Sequence, residues 1–330
     1  VLSILASSDL PFLVMGRAGM DLYPHPPGTR IEEATNFSAE LGGSSGNIAA
    51  ALSRFEQPTW LATSVSNDAV GRFVVQQLAN YGIATDLLHT LDGDVRTSLA
   101  LAESRIENQQ TVIYRNQAAD FQMSVAHIEA IDFSRFRAVV VTGTCLTLEP
   151  SRAATLLALK RAKAAGVLTV LDLDYRPYSW QSASAALEVY QQAVECVDLL
   201  VGNDDEFGHM SGSYAQGEAY ARSLALRNKW VIYKRGAQGS LAFAPQGPAI
   251  ETGIYSVTAL KPIGAGDAFL GGLLASLSRA EPFATALLQA SACAAIVVAR
   301  VGCAPAMPTL AELNEFQAAH SADQHPIGDL

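Results

Sequence analysis

Apolar residues along this chain fall into two patterns. Short runs without alternation, such as Val139-Val140-Val141 and Val170-Leu171, read as strands covered on both faces. They predict strands over 12–16, 60–65, 138–143, 168–174, 199–203, 230–236 and 240–244. Longer stretches predict helices over 46–56, 70–81, 152–165, 183–197 and 218–227. Gly82 and Gly166 follow two of these and fit the position just past a helix C-terminus. The last third is alanine-rich and helical, over 265–280, 283–300 and 309–320. Such alternation builds a mostly parallel sheet with helices on both sides.

Two segments break the rhythm. Residues 18–40 carry Pro24, Pro26 and Pro27 and no amphipathic helix. Residues 96–118 alternate through Ser98-Leu99-Ala100-Leu101-Ala102 and Thr111-Val112-Ile113-Tyr114-Arg115, the pattern of an antiparallel ribbon with one wet face. No repeat, low-complexity tract or interdomain linker interrupts residues 1–330, so a single domain is expected, with 321–330 as a frayed end.

Composition narrows the function. Apolar residues make up 49% and charged residues 16%, ample for a large core. A formal charge of −10 argues against nucleic acid or an anionic membrane as partner. An anionic substrate must then be held by a few local Arg and Lys residues. Cys145, Cys196, Cys293 and Cys303 lack any C-x-x-C spacing and read as reduced residues of a cytoplasmic protein. No Lys or Arg precedes Arg17, so no signal peptide is expected, and the apolar segment 292–299 is too short to span a bilayer.

The chemistry concentrates in Lys261-Pro262-Ile263-Gly264-Ala265-Gly266-Asp267-Ala268-Phe269. Gly264, Ala265 and Gly266 leave backbone N–H groups open to an anion, and the helix beginning there adds its positive dipole end. Asp267 beside such a hole is an electrostatic conflict unless it accepts a proton from a hydroxyl attacking the bound phosphate. The plainer alternative is a Gly-rich turn with an Asp favouring a helix start. No Walker A motif is present, and no G-x-G-x-x-G follows the first strand. A second glycine run is Gly42-Gly43-Ser44-Ser45-Gly46-Asn47-Ile48-Ala49. Its G-x-S-x-G spacing also fits a serine hydrolase, which would need an Asp and then one of the late histidines His209, His320 or His325.

These two runs, more than two hundred residues apart and in this order, resemble the signatures of the ribokinase-like (PfkB) carbohydrate kinases, and the likeness runs from end to end. The resemblance implies a three-layer α/β/α sandwich with a small β lid from about 18–40 and 96–118, homodimerisation through that lid, and ATP with Mg²⁺. Asp267 matches the family's base. An exposed Asp, with a reference pKa of about 3.9, is a weak base but suffices where the hydroxyl proton leaves late. Gly42, Gly43 and Asn47 match the sugar-binding glycine motif, and Asp21 matches the acid that holds sugar hydroxyls. Asn203-Asp204-Asp205-Glu206 resembles the N-x-x-E motif, which would place Asn203 and Glu206 near Mg²⁺ through water, or else marks an acidic helix start. Lys234 together with Gly236 and Gly239 matches the nucleotide-binding turn, which also reads as a tight hairpin.

Within the family, the segments 16–24, 114–116, 172–177, 233–236 and 261–264 look most like the sugar-acid kinases of inositol breakdown, which phosphorylate 5-dehydro-2-deoxygluconate at its 6-hydroxyl. An acidic sugar suits Arg176, placed after a strand end, and Arg115 on the expected lid; each guanidinium can grip a carboxylate or serve a structural ion pair. The neighbouring readings are 2-dehydro-3-deoxygluconate, fructose and, from another class, a sugar-sensing binding protein. One departure stands out: many members carry an acid at the position of Lys261, where it helps hold a monovalent cation. A fixed ammonium there predicts activity independent of K⁺, unless Lys261 points to solvent.

Overall fold

Along Phe12–Met15, the first strand (β1), successive side chains face opposite helical layers: Phe12 and Val14 join one core, Leu13 and Met15 the other. Both faces are apolar because both are covered, which is why the run does not alternate. The computed structural model describes residues 2–245 and 247–322. The expected frayed end, from residue 323 onward, lies outside the described residues.

After β1 come β2 (Gly19–His25), β3 (Asn36–Gly42), α1 (Ser44–Arg54), β4 (Thr59–Ser66), α2 (Ala69–Asn80) and β5 (Leu88–Leu91). The middle of the chain forms β6 (Leu99–Ala102), β7 (Thr111–Tyr114), α3 (Val125–Glu129), β8 (Ala138–Thr142), α4 (Ser151–Ala164), β9 (Leu168–Asp172) and α5 (Ala183–Glu195). Then follow β10 (Leu199–Asn203), α6 (Asp204–Ser211), α7 (Gly217–Ala225), β11 (Trp230–Lys234), β12 (Ser240–Phe243) and β13 (Ala249–Thr252). Helices α8 (Ala265–Ser278), α9 (Phe283–Val298) and α10 (Leu310–Ala319) close the chain.

The main sheet has nine strands in the order β13-β12-β11-β10-β9-β8-β1-β4-β5. Every pair from β11 to β5 is parallel, and β12 and β13 add an antiparallel edge. Helices α1, α8 and α9 cover one face, with Ile48, Leu52, Leu270 and Leu273 buried in the first core. Each such side chain contributes about 1.5–3 kcal/mol relative to exposure. On the other face, α4, α5 and α7 pack through Ala158, Leu159, Val189, Tyr190 and Leu224. The result is a three-layer α/β/α sandwich.

A second sheet of four strands, β3-β2-β6-β7, is built from 19–42 and 99–114. The alternation read in 99–102 and 111–114 is that of β6 and β7, which pair antiparallel. Pro24 sits within β2 and Pro26 just past its end, so hydrophobic patterning did not announce this strand. Short β5 and β13 carry no clear pattern in the sequence, and the acidic run Asn203-Asp204-Asp205-Glu206 does start a helix, α6. Asp68 shows the local logic elsewhere: its carboxylate accepts the N–H groups of Val70 and Gly71, both at 3.0 Å, and so starts α2.

Candidate active site

The carboxyl ends of β9, β10 and β11 open into a cleft of about 1380 Å³, closed on the far side by the four-stranded sheet. Open parallel sheets bind ligands at this end of their strands. Helix α8 starts there. Gly264 is its N-cap with φ 86°, a left-handed conformation that glycine adopts without strain. Ala265, Gly266 and Asp267 form the first turn, so their free N–H groups and the dipole face the cleft.

Asp267 is not the freely exposed acid the sequence implied. It is half-buried, and Asn47 Nδ2 donates to its Oδ2 at 2.7 Å. Burial first, then the facing carboxylates of Asp174 and Asp172, push its pKa up to about 8, opposed by the Asn47 hydrogen bond and Arg176. Asn47, read from sequence as a sugar ligand, therefore also touches the acid. Its own Oδ1 is buried and finds no hydrogen-bond partner among the described residues. An orphaned acceptor beside the Asp267 carboxyl suits a ligand hydroxyl.

Asp21 lies on β2, 6% exposed, with Arg17 Nη2 at 3.4 Å and the Tyr23 hydroxyl at 3.5 Å. Burial raises its pKa and Arg17 opposes the rise. Gly42 pairs across from Gly19, and a β-carbon on it would overlap the Asp21 carboxylate; that close approach is what the position requires. Gly43 caps α1.

The two arginines expected to face a substrate carboxylate already have protein partners. Arg176 Nη2 lies 2.7 Å from Asp174 Oδ1, which raises the arginine's pKa, although 44% of the side chain remains exposed to the cleft. Arg115 donates through Nε (2.9 Å) and Nη2 (2.5 Å) to Asp120 Oδ2 and stacks on Phe121 with its guanidinium carbon 4.1 Å from the ring centre. Both nevertheless line the cleft.

Asp172 and Asp174 carry more of the site than the sequence reading gave them. Asp174 has φ 37° and is pinned by Ser44 Oγ at 2.6 Å as well as by Arg176. Ser44 and Arg176 together hold this carboxylate at the rim of the cleft, in a left-handed backbone conformation that Asp tolerates better than most residues. The available signal was two acids at the end of an apolar strand. Ser44, the hydroxyl of the G-x-S-x-G pattern, is thus bonded to an acid and not to a histidine. His209 stacks on Tyr175 with ring centres 3.8 Å apart, His320 stacks on Phe316, and His325 lies outside the described residues.

Lys234 ends β11, with Nζ 3.7 Å from Asp172 Oδ1. A β-carbon on Gly266 would stand 3.2 Å from that ammonium, so the charge faces the first turn of α8. Burial alone would lower its pKa; Asp172, Glu206, Asp267 and Asp174 outweigh that and raise it. Gly236 and Gly239 flank the turn from β11 to β12 and line the cleft below Lys234.

Asn203 and Glu206 form a capping box. Asn203 Oδ1 accepts the Glu206 N–H at 2.8 Å, and Glu206 Oε2 accepts the Asn203 N–H at 2.8 Å. Glu206 Oε1 accepts the Tyr175 N–H at 3.1 Å. Both Glu206 oxygens are already engaged, and burial pushes the pKa up to about 7, with Lys234 opposing and Asp172 adding to the rise. Among the described residues, no group of three or more His, Cys, Asp or Glu is placed to cage a metal. The donors fit a divalent ion that keeps its water and is carried by phosphates, and the acids facing Lys234 and Arg176 provide the complementary charge.

Lys261 does not point to solvent. It is 0% exposed, and its ammonium donates to the carbonyl oxygens of Ile263 (2.6 Å) and Val297 (3.2 Å). Burial lowers its pKa, against the pull of Cys303 and Asp267. The charge sits between the last turn of α9 and the turn leading into α8.

Residues 12–310 match the pfkB family carbohydrate kinases. The chain belongs to that family. It is therefore an ATP-dependent sugar kinase. A 5-dehydro-2-deoxygluconokinase of Photobacterium profundum is 35% identical over 95% of this chain and 97% of its own length. Another, from Geobacillus kaustophilus, is 34% identical over 94% of each. Among solved structures, fructokinase with bound ATP from Xylella fastidiosa superposes with a TM-score of 0.82 at 22% identity, covering 93% of this chain and 98% of that one. Aminoimidazole riboside kinase from Salmonella enterica, complexed with aminoimidazole riboside and an ATP analogue, gives 0.78 at 25% identity, covering 93% and 99%. No helix among the described residues is long and apolar enough to cross a membrane.

Proposed function

We propose that this kinase phosphorylates 5-dehydro-2-deoxygluconate at its 6-hydroxyl. The carrying observation is Asp267 held by Asn47 at the open start of α8, which gives a base, an orphaned acceptor and an anion site in one place. The activity named for the relatives from Photobacterium and Geobacillus supports the sugar acid as acceptor.

In this reading Asp21 and Asn47 Oδ1 hold sugar hydroxyls, and Gly42 and Gly43 let the sugar approach the backbone. Asp267 takes the proton from the 6-hydroxyl as its oxygen attacks the γ-phosphoryl group. The N–H groups of Gly264, Ala265 and Gly266 receive the charge on the transferred group, and Lys234 adds a cation beside them. Arg176 and Arg115 receive the substrate carboxylate. The turn at Gly236–Gly239 seats the nucleotide. Mg²⁺ on the nucleotide would offset phosphate charge, with Asn203 and Glu206 holding its waters.

The small sheet acts as a lid that excludes water, so transfer to sugar outruns hydrolysis. Phe37, Val112 and Tyr114 on that sheet and Ile106 in its hairpin are exposed apolar residues and support pairing of two chains through it. The four free cysteines, with no disulfide, support a cytoplasmic enzyme acting as one catalytic domain. A sugar sensor would have no use for Asp267.

The test is ADP release measured on 5-dehydro-2-deoxygluconate, 2-dehydro-3-deoxygluconate and fructose. The proposal expects kcat/KM for the first at least about tenfold above that for fructose, the worth of one charged contact. It should also exceed that for 2-dehydro-3-deoxygluconate, which shares the carboxylate and differs in where its carbonyl and missing hydroxyl lie. Equal or better turnover of fructose would overturn the substrate assignment.

A further inference from the structure

Tyr23 is a tyrosine with 0% exposure whose hydroxyl bridges two parts of the molecule. It belongs to β2 of the small sheet, yet its oxygen lies 3.2 Å from Cys303 Sγ in the main body and 3.5 Å from Asp21 Oδ2. Cys303 in turn packs against the N-cap of α8: a β-carbon on Gly264 would stand 2.9 Å from its sulfur. Tyr23, Cys303 and Ala102 of β6 form a small core of their own, separate from the two that flank the main sheet, with Ile263 and Val301 packed on it. Ile263 immediately precedes the anion-binding turn. A seam of this size between the small sheet and the segments flanking α8 and α9 can seat in a few discrete ways but cannot deform continuously.

We propose that Tyr23 and Cys303 are positioning residues that couple the sugar site to the anion-binding turn of α8. When Asp21 engages the sugar, the Tyr23 hydroxyl and the Cys303 sulfur fix Gly264, so that a seated sugar tightens the grip on the nucleotide's phosphates. Burial raises the pKa of both groups, Cys303 to about 12, so the bridge is uncharged at neutral pH and its strength does not vary there. This rests on the proposed role of Asp21 in holding sugar.

The experiment measures the Kd of a non-hydrolysable ATP analogue with and without saturating 5-dehydro-2-deoxygluconate. Wild type should bind the analogue at least about fivefold more tightly with sugar present, the lower end of ordinary coupling between sites. Tyr23→Phe, which keeps the ring and loses the hydroxyl, should bring that ratio within about twofold of unity. Cys303→Ala should do the same, whereas Cys303→Ser, which can still hydrogen-bond, should retain the coupling. A merely structural role would weaken both ligands without changing the ratio, and an unchanged ratio in Tyr23→Phe and Cys303→Ala overturns the proposal. If wild type fails to bind the sugar, the substrate reading falls, and the coupling falls with it.

Discussion

Asn47 and Asp267, 220 positions apart in the chain, share a hydrogen bond of 2.7 Å. One comes from the N-terminal glycine run and the other from the C-terminal one, so the two motifs describe a single site. The bond also lowers a pKa that burial and two neighbouring acids have raised to about 8.

Replacing Asp267 with Asn keeps the shape and removes the proton acceptor. Turnover should fall about 10²–10⁴-fold with nucleotide affinity and melting temperature nearly unchanged. A variant with near-normal kcat would remove Asp267 from the role of base.

The pH profile follows from the same pair. A raised carboxyl pKa means Asp267 is protonated below about pH 8 in the free enzyme and is competent as a base above it. The kcat/KM profile should therefore lose activity on the acid side, and Asn47→Ala, which removes the lowering hydrogen bond, should move that limb to higher pH. A limb that stays in place or moves to lower pH contradicts the coupling.

Most of the main sheet was legible because strands such as β10 are continuous apolar runs buried on both faces, and α8 and α9 are long alanine-rich stretches. Strand β2 was not, because its side chains alternate weakly beside two prolines and its partner β3 is largely exposed. At the site, the glycine runs named their own residues, but pairing is tertiary information. No spacing announces that Arg176 will meet Asp174, that Arg115 will meet Asp120, or that Glu206 will spend both oxygens on backbone N–H groups. Lys261 stood out in the sequence as a departure from the family, but whether it faced solvent or the anion-binding turn was tertiary information, settled by its 0% exposure.

Glu206→Ala should destabilise the protein even without nucleotide or metal, because the cap on α6 and the acceptor for Tyr175 N–H are lost together. Removing a cap costs about 0.5–2 kcal/mol, read as a lower melting temperature. An unchanged melting temperature combined with a changed Mg²⁺ requirement would make Glu206 a metal residue only.

Arg176→Ala should raise KM for the sugar acid about 10–100-fold and leave a neutral analogue far less affected. Equal losses for both would confine Arg176 to holding Asp174.

Lys261, with its ammonium fixed on the carbonyls of Ile263 and Val297, puts a built-in positive charge behind the anion-binding turn. Turnover at constant ionic strength and fixed Mg²⁺ should not change as K⁺ replaces a bulky organic cation. A several-fold rise with K⁺ would show that the ammonium does not serve that purpose.

The most direct test follows ADP and sugar phosphate together in wild type and Asp267→Asn, supplied with ATP and 5-dehydro-2-deoxygluconate. Wild type should release the two products in equal amounts, with the phosphate on the 6-oxygen by phosphorus-coupled NMR, and the variant should lose both products in parallel. ADP formed without sugar phosphate, or phosphate on another oxygen, would contradict the account.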